Sequence, residues 1–292
     1  RQPGPGPLMA ASGIRLSEID GAPGIRLALR EAGPADAPPI LLLHGWSQSG
    51  LSWRRQLEGP LSTRFRLIAP DLRGHGASSK PEDAAAYATG AGWAEDIAAL
   101  VAHTAPARPV VVGWSMGGWV LADYLRANGD SALAGIVTVG SVPRIGAAGD
   151  PAMIAKRKAD VRAEGMMSPD HLAQLDAAIA FGRAMTAAPL SKRDLAFHVG
   201  LMMACPPAIR RAARMRDEDW RDAWACVTRP SLIIQGGAER VCFLPQAQEL
   251  ADTIPGAALT VMPGCGHMAF WEQPGAFDAH LEAFADRAVM MA

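Results

Sequence analysis

Along most of the chain, short wholly apolar runs alternate with stretches that are apolar on one helical face only. Residues 25–30, 40–43, 66–69, 109–113, 135–139, 231–235 and 258–262 read as strands. Several of these are apolar at successive rather than alternate positions, as in strands covered on both faces. Helices are predicted at 52–57, 92–103, 116–128, 245–254 and 274–287. The last opens on Pro274, suited to a first helical turn, and carries Phe277, Leu281, Phe284 and Val289 at helical spacing, so that face belongs to the core. Alternation of this kind predicts an α/β fold with a doubly wound, mostly parallel sheet.

Residues 145–228 break the rhythm. They hold no convincing strand, are rich in Ala, Met and Arg, and their helical stretches are split by Pro169, Pro189 and Pro206-Pro207. An α-helical cap inserted into the core is the expected organisation: 25–144 and 229–292 as the core, 145–228 as the cap, and 1–24 as a flexible arm and first strand region. The cap methionines (Met153, Met166, Met167, Met185, Met202, Met203, Met215) suit ordinary core filling or an adaptable apolar pocket, because thioether side chains are flexible and polarizable. Trp220 and Trp224 cannot be placed from spacing.

Composition narrows the classes. In 292 residues, 49% are apolar, 20% are charged and the net charge is −1, so nothing points to nucleic acid or an anionic membrane surface. The four cysteines, Cys205, Cys226, Cys242 and Cys265, form no C-x-x-C pair. Neither a zinc site nor a disulfide framework is expected, and reduced thiols fit an intracellular, cytoplasmic protein. No apolar run approaches the ~20 residues that span a bilayer. The opening Arg1-Gln2-Pro3-Gly4-Pro5-Gly6-Pro7 reads as a flexible arm or an expression remnant, with Met9 as the natural start.

The chemistry begins at Gly113-Trp114-Ser115-Met116-Gly117, between a predicted strand and a predicted helix. Five-residue patterns recur by chance, and it is this context that carries weight. A sharp strand-to-helix turn strains the backbone at its centre and leaves no room for side chains two residues either side. The serine hydroxyl then stands exposed at the end of the sheet. A hydroxyl is a poor nucleophile at neutral pH and needs a base within hydrogen-bond reach.

His267, in Gly264-Cys265-Gly266-His267, follows the last predicted strand and is the candidate base. His103, His171, His198 and His280 lie in helical patterns. His75, in Asp71-Leu72-Arg73-Gly74-His75-Gly76, sits in a turn better suited to a structural role. A third group should orient the imidazole and stabilise its charged form. After the strand at 231–235 the only carboxylate is Glu239, and after the strand ending at Val139 the stretch Gly140-Ser141-Val142-Pro143 offers none. Glu239 is therefore reached by elimination. Two backbone donors are needed for an oxyanion. The amide after the nucleophile, Met116, is one, and that of Trp46 in His44-Gly45-Trp46 is the other. Trp46, Trp114 and Met116 are also the expected substrate contacts.

These four motifs together resemble the α/β-hydrolase fold superfamily over roughly residues 25–144 and 229–290. The resemblance implies an eight-stranded, mostly parallel sheet, a helical cap and no cofactor. Carried over by position, Ser115 is the nucleophile, His267 the base, and Trp46 and Met116 the oxyanion-hole amides. The chain departs at the acid, where relatives more often carry aspartate. Within the superfamily, the tryptophans of His44-Gly45-Trp46 and Gly113-Trp114-Ser115 are similar to the pimeloyl-carrier-protein methyl ester esterases. Tyr124-Leu125-Arg126-Ala127-Asn128-Gly129 with Val139-Gly140-Ser141-Val142-Pro143 looks like the cofactor-free haloperoxidase and perhydrolase branch. Both imply hydrolysis of a small or medium carboxylic ester through an acyl-serine. Acyl transfer or perhydrolysis with the same nucleophile, and a non-catalytic ligand-binding relative, are the alternatives.

Overall fold

A computed structural model of the protein describes residues 8–9, 13–161 and 163–292. The arm expected at 1–7 lies outside the described residues. The strands follow as β1 (Leu8–Met9), β2 (Arg15–Asp20), β3 (Arg26–Ala32), β4 (Pro39–Leu43), β5 (Arg66–Pro70), β6 (Val110–Trp114), β7 (Gly135–Val139), β8 (Arg144–Ile145), β9 (Glu218–Asp219), β10 (Ser231–Gly236) and β11 (Ala258–Met262). Nine of them form one sheet in the spatial order β1-β2-β3-β5-β4-β6-β7-β10-β11. From β5 to β11 every pairing is parallel, whereas β1, β2 and β3 add an antiparallel flank. Eight of these strands have five to seven residues, and the ninth, β1, has two.

Every residue of β4, β6, β7 and β10 is buried. Helices cover both faces of these strands, which is why their sequences run continuously apolar rather than alternating. The antiparallel flank behaves differently. β2 alternates half-buried and exposed positions and is rich in charge, so it carries no apolar run and lies outside the strands read from the sequence. The expected helix at 52–57 is a 3-10 turn, Gly50–Trp53, that passes into a short α-helix, Arg54–Leu57.

Residues 151–225 contain the helices Pro151–Val161, His171–Ala184, Lys192–Met203, Pro207–Arg214 and Arg221–Ala225. The stretch is not strand-free, because β9 pairs antiparallel with β8. Two residues are too few to write a period-two pattern. Buried arginines fix the segment to the core and tie its own helices together. Arg216 forks onto Asp123 with two bonds of 2.8 Å, and the Trp220 indole donates to the same carboxylate at 2.8 Å. The fully buried Arg210 donates to the carbonyls of Met166 at 2.7 Å and Met202 at 2.6 Å. Met166, Met185 and Met202 are core, whereas Met215 is exposed. The four cysteines are free, three of them buried. Among the described residues no helix is long and apolar enough to cross a membrane, and no group of three or more His, Cys, Asp or Glu could hold a metal ion.

Candidate active site

The loops after β4, β6, β7, β10 and β11 meet at the carboxyl ends of the parallel strands, where open α/β sheets place their clefts. Ser115 follows β6 and sits at the N-cap position of the helix Met116–Asn128 with φ 53° and ψ −116°. A non-glycine residue in that region costs about 1–3 kcal/mol and persists only where its surroundings impose it. Here they do. The Ser115 N–H donates to Val139 O, and its carbonyl accepts from the Gly118 N–H, both at 2.9 Å. The Ser141 hydroxyl donates to that carbonyl at 3.0 Å. A methyl on Gly113 would lie 2.7 Å from Gly118, and one on Gly117 would lie 2.5 Å from Leu43 O. Both glycines are required by close backbone approach.

The loop after β4 lies against this turn. A Cβ on Gly45 would fall 3.3 Å from the Ser115 Cβ. Ser47 also has a positive φ of 61°. It is pinned from below, where the Ser47 N–H donates to His75 Nε2 at 3.2 Å and the Leu72 N–H donates to His44 Nε2 at 3.0 Å. Each ring donates its Nδ1–H to a carbonyl, His44 to Gly45 O at 2.8 Å and His75 to Arg73 O at 2.9 Å. Burial holds both imidazoles neutral, pushing His44 down to about 4 and His75 down to about 3. Asp71 supports the same loop, accepting from the Gly50 N–H at 2.8 Å and pairing with Arg30 at 2.7 Å. His75 is thus a fixed scaffold group, with both ring nitrogens engaged. Among the described residues neither the Trp46 nor the Met116 backbone N–H donates to a protein acceptor. The Trp46 indole reaches the helical segment, donating to Arg210 O at 3.0 Å.

His267 and Glu239 arrive from β11 and β10. His267 Nδ1 and Glu239 Oε2 are 2.7 Å apart, with side chains 1% and 2% exposed. The other carboxylate oxygen accepts the N–H groups of Arg240 at 2.9 Å and Val241 at 2.7 Å. The loop after β7, which carries no acid, serves the pair differently. Gly140 has φ 51°, and a Cβ there would sit 2.9 Å from His267 Nδ1 and 3.0 Å from Glu239 Oε2. That glycine clears the space in which the two side chains meet.

The side chains of Trp114 and Met116, expected against substrate, are each 1% exposed. The Trp114 indole N–H donates to His267 O at 2.9 Å, and its ring packs edge-on against Trp53 and Phe270. Trp114 therefore links the serine turn to the histidine loop. Sequence reading missed this link, as it missed Glu272 and Arg240, which tie the same loops to residues 183–188. No local pattern marks such contacts. A cavity of about 260 Å³ is lined by Glu239, Met153, Lys156, Gly237 and Phe243 among others. The larger cavity, about 520 Å³, is lined by Arg55, Leu61, Asp278 and Glu282 among others and does not include Ser115, Glu239 or His267.

Residues 40–280 match the model of the Alpha/beta hydrolase family. The chain is 27% identical to the pimeloyl acyl-carrier-protein methyl ester esterase of Vibrio campbellii, over 85% of this chain and 94% of that protein. It is 26% identical to the non-heme chloroperoxidase of Streptomyces lividans, over 92% and 99%. The crystal structure of esterase RhEst1 from Rhodococcus sp. ECU1013 matches with a TM-score of 0.83 at 32% identity, covering 93% of this chain and 98% of that one.

Proposed function

Because the chain belongs to the Alpha/beta hydrolase family, we propose that it is a serine hydrolase acting on carboxylic esters of small or medium, largely apolar substrates. Relatives named as esterases support ester hydrolysis in general. The observation that carries the serine mechanism is the buried Glu239–His267 bond of 2.7 Å, formed at the same end of the sheet as the strained Ser115.

In this reading Ser115 Oγ attacks the ester carbonyl and His267 Nε2 takes its proton. The Glu239 carboxylate fixes the Nδ1–H tautomer and stabilises the imidazolium that forms. The backbone N–H groups of Trp46 and Met116 receive the oxyanion, and both have no competing protein acceptor among the described residues. Collapse of the tetrahedral species expels the alcohol, which takes the proton from His267, and leaves Ser115 acylated. Water, activated by His267, then releases the acid. The helices at 151–225 form the cap over this chemistry, and no cofactor takes part. Acyl transfer to an alcohol or to peroxide would branch from the same acyl-serine, and product analysis with either acceptor separates these outcomes.

The test is hydrolysis of a chain-length series of p-nitrophenyl esters by wild type and Ser115→Ala. Loss of the nucleophile is expected to lower kcat by at least about 10³-fold. Equal rates would remove Ser115 from the mechanism. Labelling of wild type but not the variant by a fluorophosphonate probe is expected alongside.

A further inference from the structure

The residues on either side of His267 both donate their backbone N–H groups to partners that hold, or belong to, the turn between the helices His171–Ala184 and Lys192–Met203. The Gly266 N–H donates to Glu272 Oε2 at 2.6 Å. The other oxygen of that carboxylate accepts the N–H groups of Ala187 at 2.7 Å and Ala188 at 3.2 Å. On the far side of the histidine, the Met268 N–H donates to Met185 O at 3.1 Å. Contact is close enough that a Cβ on Gly266 would lie 2.8 Å from the Ala187 nitrogen. Arg240, next to Glu239, donates to Thr186 O at 2.9 Å and so anchors the acid to the same turn. Of the groups holding the His267 backbone, the Glu272 carboxylate is the one that bridges three N–H donors with one negative charge.

We propose that Glu272 is a positioning residue for His267, setting the imidazole's height over the sheet edge by bridging Gly266 to residues 187–188. The role rests on His267 being the base that serves Ser115. It also makes the turn at 185–188 part of the acid–base apparatus. Displacement of that turn pulls on Gly266, the residue before His267, through the carboxylate and on the peptide after His267 through Met185. A neutral amide at position 272 offers one acceptor oxygen and one NH₂ group. The NH₂ then faces an N–H donor on one side of the bridge, so either Gly266 or the 187–188 turn is released. An imidazole displaced by about 1 Å is expected to lose on the order of 10²-fold in rate while the substrate still binds.

Asp130 supplies the matched control. Its carboxylate accepts the N–H groups of Thr228 at 2.6 Å and Arg229 at 2.8 Å, at the opposite end of the sheet where β7 and β10 begin. The experiment measures kcat, KM and Tm for wild type, Ser115→Ala, Glu272→Gln, Glu272→Asp and Asp130→Asn on one p-nitrophenyl ester. Glu272→Gln is expected to lower kcat by roughly 10–100-fold with KM within about threefold, whereas Asp130→Asn loses Tm and keeps kcat within about twofold. Glu272→Asp keeps the charge but shortens the bridge by a methylene, and falls between. It also stands in should Glu272→Gln fail to fold. A kcat within about twofold of wild type in the Glu272 variants, or an equal loss in Asp130→Asn, overturns the proposal. Wild type no faster than Ser115→Ala overturns the serine-hydrolase reading, and the role of Glu272 with it.

Discussion

Ser115 and the His267–Glu239 pair lie at one sheet edge but are held there by different means. Around Ser115 the constraint is mainly steric, set by close approach of the turn to itself and to the neighbouring strand ends. Gly113, Gly117 and Gly118 sit where a Cβ would strike backbone or a neighbouring side chain within 2.2 to 2.7 Å, and the strained serine is closed by its own turn. Around His267 the constraint is polar, made of hydrogen bonds. Trp114, 153 positions earlier, holds its carbonyl; Glu272 and Met185 hold the N–H groups of the residues on either side; and Gly140 leaves the gap for Glu239. A steric constraint either fits or fails to fold, whereas a hydrogen-bonded one loosens by degrees. The nucleophile side is therefore built for rigidity, and the acid–base side is where graded changes in rate should appear.

Glu239→Gln strikes the polar half hardest. The amide still reaches His267 and the N–H groups of Arg240 and Val241, but it cannot accept from all of them with both ends. On the serine-hydrolase reading, kcat is expected to fall by about 10³–10⁴-fold with little change in Tm, because the wrong tautomer is favoured while the shape is kept. Near-normal turnover would mean that another carboxylate orients the base, and the contrast between the two halves would lose its electrostatic side.

The steric half carries its own electrostatic signature, and it appears in stability rather than rate. His44 and His75, held neutral at about 4 and about 3 beneath the Trp46 loop, take up protons near 6.5 once the chain unfolds. Between those values the unfolded chain binds more protons, so stability is full above pH 6.5 and falls as pH drops towards the folded values. Each histidine contributes a slope of about 1.4 kcal/mol per pH unit across that window. Urea unfolding from pH 7 to 4.5 is expected to show this, and His75→Gln to flatten it by about one such increment. An unchanged slope would show that His75 is not a buried neutral scaffold.

The same contrast explains what could be read from the chain. The glycines required around Ser115 all fall within one short stretch of chain, so their requirement is legible there even though two of them face Leu43 and Ser141. The strands at the sheet centre are continuous apolar runs because both faces are covered, and these too were readable. β2 was legible only as a first strand region somewhere within 1–24, because a half-exposed strand near the sheet's margin alternates over charged residues. Glu239 emerged only by elimination, since the fit between its loop and the Gly140 gap spans three separate strands. Trp114 was expected as a substrate contact. That its indole donates to His267 O and packs against Trp53 and Phe270 is something no spacing records. The turn at 185–188 lies in a segment read as helical cap, and nothing in its composition announces that its amides meet a carboxylate 84 positions later.

The finest discrimination between the halves comes from one hydrogen bond removed on each side. Trp114→Phe keeps an aromatic ring against Trp53 and Phe270 and deletes the N–H that holds His267 O. Ser141→Ala deletes the hydroxyl that holds Ser115 O. Each change removes a neutral, buried hydrogen bond, so each is expected to lower stability by about 1 kcal/mol. Their kinetic effects should differ. Ser115 O retains the Gly118 N–H, and the glycine contacts still dictate the turn, so Ser141→Ala is expected to leave kcat within about twofold. Without the indole donor the carbonyl of His267 loses its described partner, and the loss can pass into the position of the base. About 1 kcal/mol felt there amounts to about fivefold in kcat. Thermal melts with steady-state rates on one ester read both variants. Equal stability losses with unequal rates would sustain the contrast, and equal rates would show the histidine loop to be as stiff as the serine turn.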